Sequence, residues 1–291
     1  MKSIVSVSII TANYNNGRYL SEFIESVVNS TLLPQELIII DDGSTDESIA
    51  VLEHFSGLGF LKIIRFMHNH GFTDALNAGL DNASGKYIMR ADPDDILAPE
   101  RIERQYQFME EHPDIDVVGC NVIYFKDQSR KKINISNFPL SHSKIADTFK
   151  SGLHGLQHPT AFIRGDVYRN FRYQKVFPGE DYELFSRMVK NGHTFANLPD
   201  ALYLMRIHPD SSTSNLKIEA IHQTFKFRDQ IFGTHTAHWR IYFYYQYIRH
   251  YRSYQLSEIF IIKYLHLLLS GILFPKKIWR KLKVVNDVKL K

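Results

Sequence analysis

One cysteine stands among the 291 residues, and one thiol builds neither a disulfide framework nor a cysteine-based zinc site. Cys120 lies in the apolar run Val117-Val118-Gly119-Cys120, so it is expected in the core as a small hydrophobe. Such scarcity fits a reducing compartment. Uninterrupted apolar runs of the roughly 18 residues needed to cross a bilayer are missing too. Met1 to Ile10 hold one Lys and alternate Ser with aliphatics, the pattern of a strand rather than of a secretory leader. A cytoplasmic protein is expected. Neither a Gly-x-Gly-x-x-Gly fingerprint nor a phosphate-binding Gly-Lys-Ser/Thr loop occurs, which speaks against a dehydrogenase or a P-loop enzyme. Net charge is only +4, and no nucleic-acid partner is expected.

What is there fits a globular protein. Hydrophobic residues make up 44% and charged residues 23%, which argues against wholesale disorder. The length suits one large domain of about 200–250 residues plus an appendage. Apolar runs at Val5–Thr11, Leu37–Asp41, Leu61–Phe66, Tyr87–Ala91 and Val117–Cys120 alternate with helical spacing at Leu20–Val28, Glu47–Phe55, Thr73–Leu80 and Ile102–Glu111. This alternation predicts an α/β fold with a mostly parallel central sheet flanked by helices. Ligands of such sheets bind at the carboxyl ends of the strands. Residues 121–215 are less regular and include a polar, linker-like stretch at Lys126–Asn137. Residues 216–291 read as helix only, so the expected division is 1–215 and 216–291.

Polar clusters follow the strands. Asp92-Pro93-Asp94-Asp95 places three carboxylates in four positions after a buried run. A divalent cation with hard oxygen ligands, Mg²⁺ or Mn²⁺, would relieve their repulsion; a solvated turn capping the next helix is the plainer alternative. Asp41-Asp42-Gly43-Ser44-Thr45-Asp46 offers acids to a ribose or base, or simply a turn and a helix cap. Thr11-Ala12-Asn13-Tyr14-Asn15-Asn16 adds hydroxyl and amide partners and one ring that could stack on a base. Gly179-Glu180-Asp181 opens a helical run, where acids complement the dipole or leave one carboxylate free to accept a proton. His208 lies in Arg206-Ile207-His208-Pro209, and a histidine there is most simply a surface residue.

These clusters, in order with Asn69-His70-Gly71, Asn77-Ala78-Gly79-Leu80 and Ala83-Ser84-Gly85-Lys86-Tyr87-Ile88, resemble family 2 glycosyltransferases from Ser6 to about Ser214. The resemblance implies a GT-A fold and inverting transfer from a nucleotide-sugar donor, usually a uridine one, during cell-surface polysaccharide synthesis. It also implies Mn²⁺ or Mg²⁺ on Asp92, Asp94 and Asp95, with Asp94 the first choice and Asp92 shared with the ribose. His208 would touch the metal or the diphosphate. Thr11, Asn13, Tyr14 and Asp41 or Asp42 would contact the nucleoside. Asp181, beside Glu180, would be the general base. A glycan or a polyprenyl-diphosphate-linked sugar would be the acceptor.

Two other classes are disfavoured. A catalytically inactive nucleotide-sugar or glycan-binding module would be expected to lose Asp181 or the acidic triplet, and a nucleotidyltransferase would want a glycine-rich basic loop after the first strand. The tail has a separate character. Apolar residues crowd Ile259–Phe274, and Lys276 to Lys291 hold seven basic residues against one Asp. That combination suits peripheral contact with the cytoplasmic face of the inner membrane; a helical cap or a dimer seam is the alternative.

Overall fold

Strand–helix repeats open the chain. In the computed structural model, which describes residues 2–176, 178–208, 217–257 and 259–275, β1 (Ile4–Asn13) leads into α1 (Gly17–Val28). Next come β2 (Leu33–Asp41) and α2 (Ser48–His54), then β3 (Leu61–Arg65) and α3 (Phe72–Asn82). β4 (Tyr87–Arg90) and the short β5 (Ile96–Leu97) precede α4 (Arg101–Glu111). β6 (Val117–Lys126), β7 (Lys132–Ile135) and α5 (His142–Lys150) follow. A single 3₁₀ turn at His158–Thr160 precedes β8 (Phe162–Arg164), α6 (Gly165–Asn170), α7 (Glu180–Lys190) and β9 (Phe195–Ile207). β-Branched runs such as Ile38-Ile39-Ile40 are stiff at χ1 and pack well on a pleated surface. α1 buries Leu20, Phe23, Ile24 and Val27, the i, i+3, i+4, i+7 stripe of a helix covering a sheet.

The strands lie in the order β3-β2-β1-β4-β8-β6-β9-β5, with β7 paired to β6. β3, β2, β1 and β4 are parallel. Asn13 pairs with Asp41, and Asp41 with Arg65, so these strands end together at one edge of the sheet. Beyond β4 the sheet is mixed: β8 is antiparallel to both β4 and β6, whereas β6 and β9 are parallel. Cys120 is buried between them, and burial pushes its thiol up to about 11.

One local reading is corrected. Lys126–Asn137 is not a linker, because Ile123 pairs with Ile135 and Tyr124 with Asn134 in a β6–β7 hairpin. Between the acidic triplet and α4, Ile96 and Leu97 pair with Leu204 and Tyr203, and Pro99 disfavours helical backbone at the residue before it.

The chain divides into compact units at Met1–His208 and Pro209–Lys291. The second contains α8 (Ile218–Phe232), α9 (His238–Leu256) and α10 (Phe260–Leu273). Ile221, Phe225 and Ile241 form its buried cluster, with Tyr244, Tyr245 and Ile248 against it. Among the described residues, no helix is long and apolar enough to cross a membrane. The polar coil after His208 and the basic segment from Lys276 onward lie outside the described residues.

Candidate active site

The acidic triplet hangs between the end of β4 and β5. One ligand oxygen from each of Asp92, Asp94 and Asp95 lies within 4.8 Å of the others. Asp95 is buried and accepts the Arg206 amide at 2.7 Å. The Asp92 amide donates to the Tyr203 hydroxyl at 2.9 Å. His208 Nε2 sits 3.0 Å from Asp94 Oδ2, and its ring is 4.9 Å from that of Tyr19. Burial, then the charges of Asp94 and Asp92, push Asp95 well above the usual carboxylate range. Asp92 is raised as well, by burial first and by Asp94, although Arg90 opposes this. The cluster is short of positive charge. Its oxygen-only acidic set fits a hard divalent cation.

Two arginines position the triplet, and neither was given a role from sequence. Arg90, the buried last residue of β4, forms an ion pair with Asp92, and its guanidinium lies 5.1 Å over the Phe72 ring. Arg206, on β9, is also buried. Its Nε donates to the Asp94 carbonyl at 2.7 Å, Nη1 to Asp127 at 2.8 Å and Nη2 to Glu22 at 2.5 Å. The available signal was a charge inside an apolar strand run, Tyr87-Ile88-Met89-Arg90-Ala91 and Leu202-Tyr203-Leu204-Met205-Arg206, since a charge so placed must find partners.

The second acidic pair sits at the start of α7. Gly179, at φ +108°, turns the chain into the helix in a conformation that side-chain-bearing residues rarely adopt. Its amide donates to Glu180 Oε2 at 3.0 Å. Asp181 Oδ1 accepts the Tyr182 amide at 2.7 Å, and Oδ2 lies 3.3 Å from His154 Nε2. The environments pull the two acids apart. Burial and the Asp181 charge raise Glu180 to about 7. Burial works to raise Asp181 too, but His154, aided by the Tyr182 amide, holds it well below the carboxylate range. His154 stands in an irregular segment with no sequence signal to mark it. Nearby, burial and Arg90 push His158 down to about 3, and its Nε2 is 2.6 Å from the Tyr173 hydroxyl. Asp181 also contributes to the raised state of Asp92, so the two acidic groups share one field.

The residues expected at the nucleoside meet at the ends of β1 and β2. Asn13 Nδ2 donates to Asp41 Oδ1 at 2.9 Å and to Ser44 Oγ at 3.2 Å. Asp42 accepts the amides of His70 at 2.7 Å and Gly71 at 2.9 Å, which ties down the β3–α3 loop. Gly43, at φ +75°, makes this packing feasible: a Cβ there would lie 2.7 Å from the His68 carbonyl carbon. Tyr14 is exposed, with its ring free to stack. The Thr11 side chain is fully buried and its hydroxyl donates to the Ala91 carbonyl, so it clips β1 to the segment after β4.

With this geometry in view, solved structures give the fold. S. aureus TarS 1–349 in complex with UDP-GlcNAc superposes with a TM-score of 0.63 at 18% identity, over 94% of this chain and 80% of that one. The mannosyltransferase PcManGT from Pyrobaculum calidifontis, in complex with GDP-Man and Mn²⁺, gives 0.58 at 14% identity, over 98% and 81%. The fold is the GT-A fold of nucleotide-sugar transferases. Within it, the chain belongs to glycosyl transferase family 2, whose sequence profile matches residues 8–172, and it is a glycosyltransferase. The amylovoran biosynthesis glycosyltransferase AmsE of Erwinia amylovora is 34% identical over 207 residues, 70% of this chain and 77% of that protein. The UDP-Gal:alpha-D-GlcNAc-diphosphoundecaprenol beta-1,3-galactosyltransferase of Escherichia coli is 29% identical over 214 residues, 70% and 75%.

Proposed function

We propose that the protein transfers a sugar from a UDP-sugar, with inversion, to a glycan or polyprenyl-diphosphate-linked sugar, at the cytoplasmic face of the membrane and in polysaccharide synthesis. One observation carries this reading: ligand oxygens of Asp92, Asp94 and Asp95 gather within 4.8 Å of one another after β4, and His154 holds the Asp181 carboxylate ionised at the start of α7. The names of the Erwinia and E. coli relatives support polysaccharide synthesis and a lipid-diphosphate acceptor. The UDP-GlcNAc of the TarS complex supports a uridine donor.

Asp92, Asp94 and Asp95 would hold Mn²⁺ or Mg²⁺, with His208 against Asp94. Such an ion supplies positive charge to the diphosphate as negative charge develops on it. Asn13, Asp41 and Asp42 would border the nucleoside and Tyr14 would stack on its base. Asp181 would take the acceptor hydroxyl's proton as that oxygen bonds to the anomeric carbon. The anomeric carbon–phosphate oxygen bond breaks, and the nucleoside diphosphate leaves with the electron pair. A single displacement inverts the centre, and so good a leaving group needs no acid. Arg90 keeps Asp92 in place through their ion pair.

The test is a screen of UDP- and GDP-sugars with lipid-diphosphate sugars as acceptors, run on the parent and Asp181→Asn. Asn keeps the shape but accepts no proton, so kcat should fall by about 10²–10⁴ with donor affinity kept. Unchanged turnover would remove Asp181 from the role.

A further inference from the structure

α10 is amphipathic in the reverse sense for a helix standing in water. Its polar and small residues turn toward α9. The Lys263 ammonium lies 5.3 Å over the Tyr254 ring, His266 Nδ1 is 2.9 Å from His250 Nδ1, and Ser270 is fully buried. Outward stand Ile261, Leu265, Leu268 and Ile272, which are 78, 52, 61 and 69% exposed. Their spacing of four, three and four residues lays them along one face. A contiguous apolar stripe on the outside marks a contact surface.

Charge indicates what covers it. From Pro209 onward the sequence holds fourteen Lys and Arg against five Asp and Glu, whereas the preceding 208 residues hold 21 against 26. Two copies pressed stripe to stripe would bring two positive excesses together, which opposes self-association. Anionic lipid offers the opposite: an acyl boundary for the stripe and negative charge for the basic residues. Five of those residues, Lys276, Lys277, Arg280, Lys281 and Lys283, follow α10 directly in sequence. The 14 residues of α10 extend about 21 Å at 1.5 Å each, less than the roughly 30 Å of a hydrocarbon core.

We propose that the outward face of α10 is a membrane-docking surface. The helix lies in the plane of an anionic bilayer interface with Ile261, Leu265, Leu268 and Ile272 in the acyl boundary. This specifies the surface behind the membrane location proposed above. It is independent of donor and acceptor, because its test measures lipid binding and not transfer.

The experiment is co-sedimentation of the full chain with phosphatidylcholine vesicles, with and without phosphatidylglycerol, at low and high salt. Binding should need the anionic lipid and weaken with salt. Leu265→Gln/Leu268→Gln/Ile272→Gln changes only outward side chains, so its thermal midpoint should match the parent while vesicle affinity falls by about tenfold or more. Lys276→Gln/Lys277→Gln/Arg280→Gln/Lys281→Gln should lose the preference for anionic lipid, at about fivefold for each residue lying near the surface. Equal affinity of the apolar triple variant and the parent would overturn the proposal, as would a parent that binds no vesicles. A parent dimer in sedimentation velocity that the triple variant dissolves would assign the stripe to a second copy.

Discussion

His154 Nε2 lies 3.3 Å from Asp181 Oδ2, and this contact outweighs the burial that would otherwise raise Asp181. The effect is reciprocal: burial works to lower His154, but Asp181 raises it above its ordinary value. A histidine raised in the folded state stabilises below its unfolded pKa, and that contribution is lost as pH rises through the folded pKa. The unfolded value is about 6.5. Thermal midpoints of the parent should therefore decline from neutral to mildly alkaline pH more steeply than those of His154→Gln. The same variant should raise the Asp181 pKa and move the acid limb of kcat/KM to higher pH, with donor KM little changed. A pH profile identical to the parent's would show that His154 does not position the carboxylate.

Glu180 behaves oppositely to its neighbour. Burial and the Asp181 charge raise it to about 7, so the folded state keeps a proton that the unfolded chain releases near pH 4.3. Stability is lost as pH climbs from the unfolded value through about 7. Glu180→Gln mimics the protonated form and removes this loss. At pH 8 the variant should match or exceed the parent by up to about 2–3 kcal/mol in urea unfolding, while at pH 5 the two should be close. A variant less stable than the parent at pH 8 would show that the ionised form is the one the fold needs.

Arg206 is the most heavily committed side chain near the triplet. Its buried guanidinium serves Glu22, Asp127 and the Asp94 carbonyl, and it lies 4.8 Å over the Tyr19 ring. Arg206→Gln leaves Asp127 without its buried partner, while Glu22, about a third exposed, is partly rescued by water. A loss of about 3 kcal/mol is expected from urea midpoints. Because the Arg206 amide still holds Asp95, Mn²⁺ binding should weaken less than in Asp94→Asn. Equal losses of metal affinity in both variants would assign Arg206 a more direct part.

Local chemistry was legible in the sequence, and long-range chemistry was not. The parallel half followed from runs such as Leu37–Asp41, because a strand buried on both faces must be continuously apolar. The triplet and Glu180-Asp181 stood out because neighbouring acids demand a reason. Arg206 touches Glu22 from 184 residues away, and His154 meets Asp181 across a loop; no periodicity encodes either contact. Thr11 shows the same limit, because a hydroxyl at a strand end serves a ligand or a backbone carbonyl equally well, and its contact with Ala91 is 80 residues away in sequence. β8 hid because three residues, Phe162–Arg164, are too few to show a pattern.

Metal removal is the sharpest test of the triplet. Asp92 and Asp95 are both raised by burial and by the carboxylates around them, so the folded chain carries a local repulsion that a bound cation would relieve. A ligand that binds only the folded state stabilises by mass action, about 2.7 kcal/mol at a hundredfold excess over Kd. Mn²⁺ or Mg²⁺ should therefore raise the thermal midpoint of the parent, Ca²⁺ should do so less effectively, and a chelator should reverse the gain. Asp94→Asn removes one charged oxygen ligand and leaves His208 facing a neutral amide; the midpoint should then respond weakly to Mn²⁺. Calorimetry of UDP binding adds a second readout, since UDP affinity in the parent should rise with Mn²⁺ present and that increment should shrink in Asp94→Asn. Arg172→Gln, which breaks an exposed ion pair with Asp81, is the control and should keep the full response. A midpoint indifferent to metal in the parent, together with full transfer in chelator, would leave the triplet as a solvated turn.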